Sequence, residues 1–370
     1  MKESFFKRKG TVACMGSLIS ILIGLVFGFI LLVVFNPAES LNGLRKILTT
    51  GIADSEKLAK VLYTAAPLLM TGLSVAFAFK TGLFNIGATG QYTIGMFFTL
   101  TAAIQFQQPW YIAIFFGMIG GALWGAIPGI FKAYFNVNEV ITAIMFNWIA
   151  VFTVNLSLAN MPMMLANYWT PAPYNNRTAA LASCNKSAIL PKLGLDELLN
   201  SSYMNIGIFI AVIFAVIVWV IISKTTFGYE LRACGLNRNA SEYAGVNAKR
   251  NIVFSMCIAG ALAGVGGALY YLSGTVQYVT EKVLLDMGFN GIPVALLASS
   301  HPIGTIFGAL FVSYIQVGGE ALQPNFAPEV IDIIIAAIIY LSAFSLLIRE
   351  LIGKASARKG HNAEKGGAAK

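Results

Sequence analysis

Long apolar segments, separated by short polar stretches, follow one another along most of the chain. A helix needs about 20 predominantly apolar residues to cross the hydrocarbon core of a bilayer, and about ten segments approach that length. They lie at 12–35, 58–79, 83–106, 110–131, 138–159, 205–223, 252–272, 283–300, 302–318 and 330–348. The pattern predicts an all-α, polytopic membrane protein with about ten transmembrane helices.

Two of these regions are interrupted. The segment at 83–106 opens with a polar, glycine-rich stretch, and residues 283–318 form either two spans or broken helices that bend back as re-entrant segments. Phe-Asn and glycine interrupt the apolar run at 84–87 and again at 289–293. In secondary transporters, paired interruptions of this kind mark a transport site near the bilayer midplane. By analogy the same is expected here, although four matched residues are also compatible with chance.

The composition excludes a water-soluble surface. Hydrophobic residues make up 57% of the 370 residues and charged residues only 11%, whereas an ordinary soluble domain carries about 25% charged residues. The net charge of +9 does not indicate nucleic acid, because the Lys and Arg residues flank the apolar segments.

The distribution of positive charge predicts the topology. With the N-terminus inside, 17 of the 25 Lys and Arg residues fall in segments assigned to the cytoplasm and 8 fall outside. An excess of Lys and Arg marks cytoplasmic loops, so ten spans with both termini in the cytoplasm are expected. The first outside loop, at 36–60, holds four of the eight outside charges and is the weakest point of this assignment.

Neither a cleaved leader nor a disulfide framework is indicated. The run at 12–35 is too long for the apolar region of a signal peptide, and no small-x-small pattern closes it, so it is interpreted as a retained first helix. The four cysteines, Cys14, Cys184, Cys234 and Cys257, form no C-x-x-C pair, which argues against a disulfide framework.

The predicted organisation has three parts. A cytoplasmic tail at 1–11 precedes one transmembrane domain at 12–348, and a flexible cytoplasmic tail rich in Gly, Ala and Lys follows at 349–370. Two loops within the domain are long. The loop at 160–204 is assigned outside and is rich in Asn, Pro and Ser, and the loop at 224–251 is assigned inside and carries many charges.

The sequence carries no motif for ATP hydrolysis or for hydrolytic catalysis. It lacks G-x-x-x-x-G-K-[ST], H-E-x-x-H and G-x-S-x-G, the usual signatures of a phosphate-binding loop, a zinc protease and a serine hydrolase. Of the two histidines, His361 lies in the tail and His301 precedes Pro302 at a predicted turn, where a solvated residue is favoured over a ligand. No enzymatic activity, cofactor or metal site is expected.

Amide side chains occur at membrane depth, where a polar group needs a partner or a water-lined cavity. They lie in the interrupted segments and in the segment at 138–159. With neighbouring aromatic rings they are predicted to line a path for a neutral polar solute: Asn85, Gln91, Asn147, Asn290, Phe84 and Phe289. For each amide taken alone, interhelical hydrogen bonding and capping is an equally good interpretation.

The inside loop contains the pattern of a short exposed helix. Asn239 followed by Glu242 matches a capping box, and Gly245 is placed to end the helix, so a helix at about 240–244 is predicted. Ala240 and Ala244 share one face and leave room for the close approach of a partner. A plain solvated connector is the alternative.

Several of these stretches resemble the signatures of one family. Residues 82–91 resemble a glycine-rich signature of the branched-chain amino acid, ribose and nucleoside permease family of bacterial ATP-binding-cassette (ABC) importers, and residues 293–304 resemble its late-span pattern. N-E-V-I followed by M-F-N, at 138–147, is similar to a signature of the nucleoside and simple-sugar (BMP-associated) branch. Thr89 and His301 depart from the pattern, since an acidic and a small polar residue are expected there.

The resemblance implies the permease subunit of an importer with a type II ABC importer-like fold, in the bacterial cytoplasmic (inner) membrane. It implies two cytoplasmic ATPase subunits, a second permease subunit that is identical or related, and an extracytoplasmic substrate-binding lipoprotein. Lipid surrounds the subunit, and no nucleic acid takes part. The loop at 224–251 is similar to the coupling loop of the family, which assigns these residues to the ATPase contact: Gly228, Arg232, Arg238, Asn239, Ala240, Glu242, Ala244 and Gly245.

Three functions stay open at this point. Import of a nucleoside is favoured, and import of ribose or another simple sugar is the alternative within the same family. The third is an ion-coupled secondary transporter, which needs an intramembrane carboxylate or basic relay. Only Asp286 and Asp332 approach that requirement, and both lie near predicted span ends.

Overall fold

The computed structural model describes residues 9–171, 176–280, 282–344 and 347. Apart from positions 9–11, the predicted tails lie outside these residues. Regular structure in the described residues is helical, with two isolated β-bridges. The helices are α1 (Lys9–Phe35), α2 (Ser40–Thr49), α3 (Ser55–Lys80), α4 (Ala88–Leu100), α5 (Trp110–Phe135), α6 (Glu139–Ala159), α7 (Ala166–Trp169), α8 (Leu181–Cys184), α9 (Leu195–Leu198), α10 (Gly207–Lys224), α11 (Thr226–Leu236), α12 (Arg238–Tyr243), α13 (Ala248–Tyr271), α14 (Asp286–Phe289), α15 (Gly291–Leu297), α16 (Gly304–Glu320) and α17 (Pro328–Ser342).

Six of the described helices are long and apolar enough to cross a membrane, namely α1, α3, α5, α6, α10 and α13. Each of the ten predicted spans contains at least one helix, so the all-α polytopic membrane class is confirmed. The number of crossings and the side of each terminus stay predictions.

Both interrupted regions are broken helices. The span predicted from residue 83 becomes helical only at Ala88, and α4 then continues into a π-helical turn at Thr101–Gln105. The span predicted at 283–300 consists of two short helices, α14 and α15, which meet at Asn290. Glycine has a low helix propensity, and it stands at both interruptions.

One compact unit comprises residues 51–295 and 300–314. Every residue of α3 from Ala65 to Ala78 is buried, and α13 packs against α3, α4 and α5. On α5 and α13, glycines four residues apart face each other, and a Cβ on Gly121 would overlap the carbonyl oxygen of Gly260. Small residues of this kind allow two helix backbones to approach closely in a membrane.

The other unit comprises residues 1–50, 296–299 and 315–370. In its described part, α1 packs against α17, where a Cβ on Gly28 would lie 2.6 Å from the Ile338 side chain. Helix α2 is absent from the sequence prediction, which treats 36–60 as a loop. It is amphipathic, since Ser40, Gly43 and Ile47 are buried on one face.

The described part of the loop at 160–204 folds back onto the C-terminal end of α13. The backbone N–H of Thr178 donates to the carbonyl of Tyr278 at 2.9 Å, and that of Leu190 donates to the carbonyl of Leu272 at 2.8 Å. These bonds connect the loop to the end of α13 and to the extended chain around Tyr278 that follows α13.

The loop at 224–251 packs at the other end of α13. Its helix α11 supplies Glu230, whose carboxylate accepts from the amide of Asn251 at 3.2 Å in the first turn of α13. The two long loops of the domain therefore lie at opposite ends of one helix.

Candidate functional site

Two of the predicted amides form a reciprocal pair at the start of α4. The Asn85 amide donates to Gln91 Oε1 at 2.8 Å, and the Gln91 amide donates to Asn85 Oδ1 at 3.1 Å. Asn85 also donates to Ser74 Oγ on α3 at 3.1 Å. Because the chain is not helical at 83–87, the Asn85 side chain can turn back toward the first turn of α4.

Asn147 on α6 caps α4 from outside its own helix. Gly87 stands at the N-cap of α4 and offers no side chain, so the first N–H groups of the helix need another acceptor. Asn147 Oδ1 accepts from Gly90 N at 2.8 Å, and its amide donates to the Ile86 carbonyl at 3.1 Å. A single side chain thereby holds both the end of the interruption and the start of α4.

The structure brings Asn85, Gln91 and Asn147 together, each with at most 1% of its surface exposed. In this conformation the hydrogen bonds they make are to protein groups. The interhelical interpretation therefore describes their contacts, and their exposure to a solute path stays a prediction.

The second interruption lies against the first. A Cβ on Gly288 would overlap Thr89 at the start of α4, and a Cβ on Gly291 would lie 2.6 Å from the backbone of Thr71 on α3. The predicted path residues Phe289 and Asn290 stand between these two contacts and are partly buried. Phe84, from the first interruption, stacks on Phe79 with ring centroids 5.0 Å apart.

The short helix in the inside loop is present as α12, but its predicted cap is wrong. Asn237, not Asn239, is the N-cap, and its Oδ1 accepts from Ala240 N at 3.0 Å. Asn237 has the extended backbone that an N-cap requires, whereas Asn239 already lies inside the helix. Glu242 pairs with Arg238 Nε at 3.2 Å instead of completing a capping box.

The predicted end of this helix is confirmed. Gly245 has a φ of +84°, the left-handed conformation that ends a helix. Between the two ends, α12 exposes Asn239, Ala240 and Glu242, and Ala244 beyond its last residue is also exposed.

Two large apolar side chains beside these residues are also exposed. Tyr243 is 95% exposed and Leu236, at the end of α11, is 89% exposed. Neither side chain stands out in the sequence, and α11 itself was not predicted. Exposed large side chains on a short capped helix form a surface suited to a protein partner.

Helices α11 and α12 and the first turn of α13 form one hydrogen-bonded block, which we call the loop module (residues 226–251). Besides the bond to Asn251, Glu230 pairs with Arg250 at 3.3 Å. Cys234 Sγ accepts from Ser241 Oγ at 3.4 Å, which joins α11 to α12.

The loop module touches the turn that leads to the amides. Gly82 lies two residues beyond the last residue of α3 and has a φ of +75°. A Cβ on Gly235 would lie 2.7 Å from Gly82 N. Two backbones are in contact here with no side chain between them. Asn85 is three residues beyond Gly82, so only a short stretch of chain separates this backbone contact from the amide pair.

Polar and charged groups near the loop-module end of the domain have structural roles. Glu139 pairs with Lys132 across the turn between α5 and α6 at 2.8 Å, and Asn138 caps α6 by accepting from Val140 N. His301 lies at the surface in the turn before α16. Partial desolvation of its ring, with a smaller contribution from the charge of Lys80, lowers its pKa. The prediction of a solvated turn residue is consistent with this position.

A multi-pass helical domain with broken helices around buried amides, and with an exposed helical module at one end, is the architecture of a membrane transport subunit. A family model described as "Branched-chain amino acid transport system / permease component" matches residues 57–343. The chain belongs to this family of transport permease components.

Individual relatives are similar over nearly the whole chain. The nucleoside ABC transporter permease protein NupB of Lactococcus lactis subsp. cremoris is 36% identical over 355 residues, covering 93% of this chain and 95% of the relative. The guanosine ABC transporter permease protein NupP of Bacillus subtilis is 36% identical over 352 residues, covering 93% and 97%. The glucose ABC transporter permease protein TsgB13 of Haloferax volcanii is 26% identical over 360 residues, covering 93% and 91%. No solved structure matches the chain significantly.

Proposed function

We propose that this chain is the permease subunit of an ABC importer in a bacterial cytoplasmic membrane and that its solute is a nucleoside. The observation that carries the proposal is the 36% identity, over 93% of the chain, to two permeases named for nucleosides and guanosine. The sugar alternative is supported by a relative named for glucose, at 26% identity.

The energy comes from other subunits in this proposal. The sequence has no phosphate-binding loop of its own, so two cytoplasmic ATPase subunits hydrolyse the ATP. The loop module is the surface that they contact, with Arg238, Glu242 and Ala244 near the exposed Tyr243. Rim charges of this kind steer docking more than they add affinity, and Tyr243 supplies the apolar anchor.

The solute passes beside the interrupted helices. The buried amides Asn85, Gln91 and Asn147 satisfy each other and the start of α4 when the path is closed. Movement of the segment at 286–297 would uncover them together with Phe84, Phe289 and Asn290. Amides and aromatic rings match the hydroxyls and the base of a nucleoside, and a solute without net charge suits a path with no cluster of fixed charges.

The remaining partners complete the importer. A second permease subunit, identical or related, forms the other half of the path, and an extracytoplasmic lipoprotein delivers the solute. Because the delivery protein selects the solute, the permease itself needs little affinity for it.

Uptake of labelled solutes tests this proposal. Cells with and without the gene, both retaining its ATPase and lipoprotein partners, are supplied with labelled guanosine, uridine, ribose or glucose. Gene-dependent uptake of the nucleosides, competed by unlabelled nucleosides and not by sugars, is expected. Gene-dependent uptake of a sugar alone would establish the alternative.

A further inference from the structure

Five tyrosine rings gather at the C-terminal end of α13, and we call them the tyrosine tier (Tyr63, Tyr203, Tyr270, Tyr271 and Tyr278). Tyr63 on α3 stacks on Tyr270 with centroids 5.5 Å apart and planes at 20°, and it also contacts Tyr203 at 5.7 Å. Tyr271 meets Tyr270 at 5.2 Å and Tyr278 at 6.2 Å, edge to face in both pairs. In the sequence, Tyr63 and Tyr203 are far from the other three tyrosines, and no local pattern shows that the rings meet.

The tier lies at the end of α13 opposite the loop module. If the ATPase subunits contact the loop module, as in the proposed function, the tier is extracytoplasmic. The loop at 160–204 covers it, because Thr178 Oγ1 accepts from Tyr278 N at 3.0 Å and the Thr178 carbonyl accepts from the Gln277 amide at 2.9 Å. Tyr63, Tyr271 and Tyr278 are buried, while Tyr203 and Tyr270 are partly exposed.

Two buried hydroxyl groups lie further inside, on α4. Tyr92 Oη and Thr89 Oγ1 have no hydrogen-bond partner within the part of the chain that the structure describes, and the two residues are 1% and 0% exposed. They are three residues apart and share one side of the helix. The carbonyl of Tyr92 contacts α13 at Gly267, one turn before Tyr271, so Tyr92 lies just inside the tier.

Their lack of partners needs an explanation, because buried polar groups in proteins are nearly always paired. Thr93 and Thr99 on the same helix satisfy their hydroxyls with the carbonyl four residues earlier. Thr89 has no such carbonyl available, since α4 begins at Ala88. Within the described residues, these two hydroxyl groups are therefore left without a partner, and each is able to hydrogen-bond a polar ligand.

We propose that the tyrosine tier is the extracytoplasmic gate of the path and selects solutes that carry a planar aromatic base, with the hydroxyls of Tyr92 and Thr89 receiving the solute inside it. This inference rests on the proposed function. Opening the gate separates rings that are stacked on one another. A nucleobase replaces each lost ring contact with stacking of its own, which is favourable for any base because every base has a π-face. A free sugar offers no such face.

The ring and the hydroxyls are tested separately, in the whole importer with its ATPase, partner permease and delivery protein. Tyr270→Leu removes a stacking ring, and Tyr270→Phe keeps it. We expect Tyr270→Leu to lower kcat/KM for guanosine by about tenfold, the loss of one ring-on-base contact, and to lower it less for uridine, whose base is smaller. Tyr270→Phe should stay within about twofold of wild type, since it still presents a π-face. Tyr111→Leu is the control, because Tyr111 is an exposed tyrosine on α5 that contacts Trp110 and none of the tier.

The Tyr92→Phe variant shows whether the Tyr92 hydroxyl binds the solute or only stabilises the fold. The hydroxyl has no partner in the described chain, so its removal should leave the thermal stability of the purified complex unchanged or higher. Nucleoside uptake should nevertheless fall, by about three- to tenfold, because a hydrogen bond to the solute is lost. A structural role would instead lower stability and uptake together.

The outcomes distinguish this inference from the proposed function. If the wild-type importer takes up no nucleoside, the proposed function fails and the gate fails with it. If the wild type takes up nucleosides and both Tyr270→Leu and Tyr92→Phe do so equally well, only the gate is wrong. Equal defects in Tyr270→Leu and Tyr270→Phe would also overturn stacking as the selective contact.

Discussion

At the scale of single residues, Asn147 makes the contact on which the start of α4 depends. Asn147→Leu would leave the Gly90 N–H and the Ile86 carbonyl buried without partners, at about 1–3 kcal/mol each. We expect the variant to insert into the membrane, to melt at a lower temperature and to take up less solute. Asn160→Ala is the matched control, because Asn160 is an exposed amide beyond the other end of α6. Normal uptake by Asn147→Leu would make Asn147 a packing residue only.

The sequence identified the amides but not their partners. Asn85, Gln91 and Asn147 are recognisable because amides are rare at membrane depth and need a reason to be there. The bond from Gly90 to Asn147 joins residues 57 positions apart, and no local pattern encodes it. The tyrosine tier was missed for the same reason, since Tyr63 and Tyr270 are ordinary apolar-segment residues until the fold stacks them.

At the scale of elements, the contact between α11 and the turn after α3 lies between the loop module and the amides, and a role in coupling can be tested there. Gly235→Ala places a Cβ 2.7 Å from Gly82 N, so one of the two backbones must move. Overpacking of this kind costs about 1–3 kcal/mol, and up to a roughly tenfold loss in solute carried per ATP hydrolysed is expected. The measurement is uptake and ATP hydrolysis by the same reconstituted complex.

Gly194→Ala is the control for this experiment. Gly194 lies in the loop at 160–204, outside the loop module, and has a φ of +76°, but nothing lies within 4 Å of a Cβ added there. Its substitution introduces backbone strain without a clash against α3. If both variants show the same ratio of uptake to ATP hydrolysis as the wild type, the contact at Gly82 is not part of the coupling route.

Element boundaries were predictable where a local signal is strong and unpredictable where two signals compete. Gly245 ends α12 as expected, because few other residues adopt its backbone conformation readily. The start of α12 was wrong because Asn237 and Asn239 are both suitable caps and only the backbone decides between them. Helix α11 was missed because Gly228 and Gly235 lower its apparent helix propensity. Helix α2 was missed because its apolar residues occupy one face only, so its sequence does not form a long apolar run.

At the scale of the whole molecule, the fold class follows from the apolar segments, while topology rests on charge counts and needs its own test. The structure sharpens that test, because the loops at 160–204 and 224–251 lie at opposite ends of α13. That helix has 24 residues and is about 36 Å long at 1.5 Å per residue, enough to span a bilayer. If α13 crosses the membrane, the two loops must face opposite compartments.

Single cysteines placed in the two loops decide the topology. The background replaces Cys14, Cys184, Cys234 and Cys257, with serine at position 234 so that an acceptor remains for the Ser241 and Asn251 contacts. Asn176→Cys reports on the loop at 160–204, and Asn239→Cys reports on the loop module without disturbing the Asn237 cap; both positions are exposed. An impermeant thiol reagent added to intact cells should label Asn176→Cys and leave Asn239→Cys unlabelled until the membrane is permeabilised. Labelling of Asn239→Cys in intact cells would place the loop module outside, where it has no access to a cytoplasmic ATPase, and would remove the basis for both the coupling assignment and the extracytoplasmic position of the tyrosine tier.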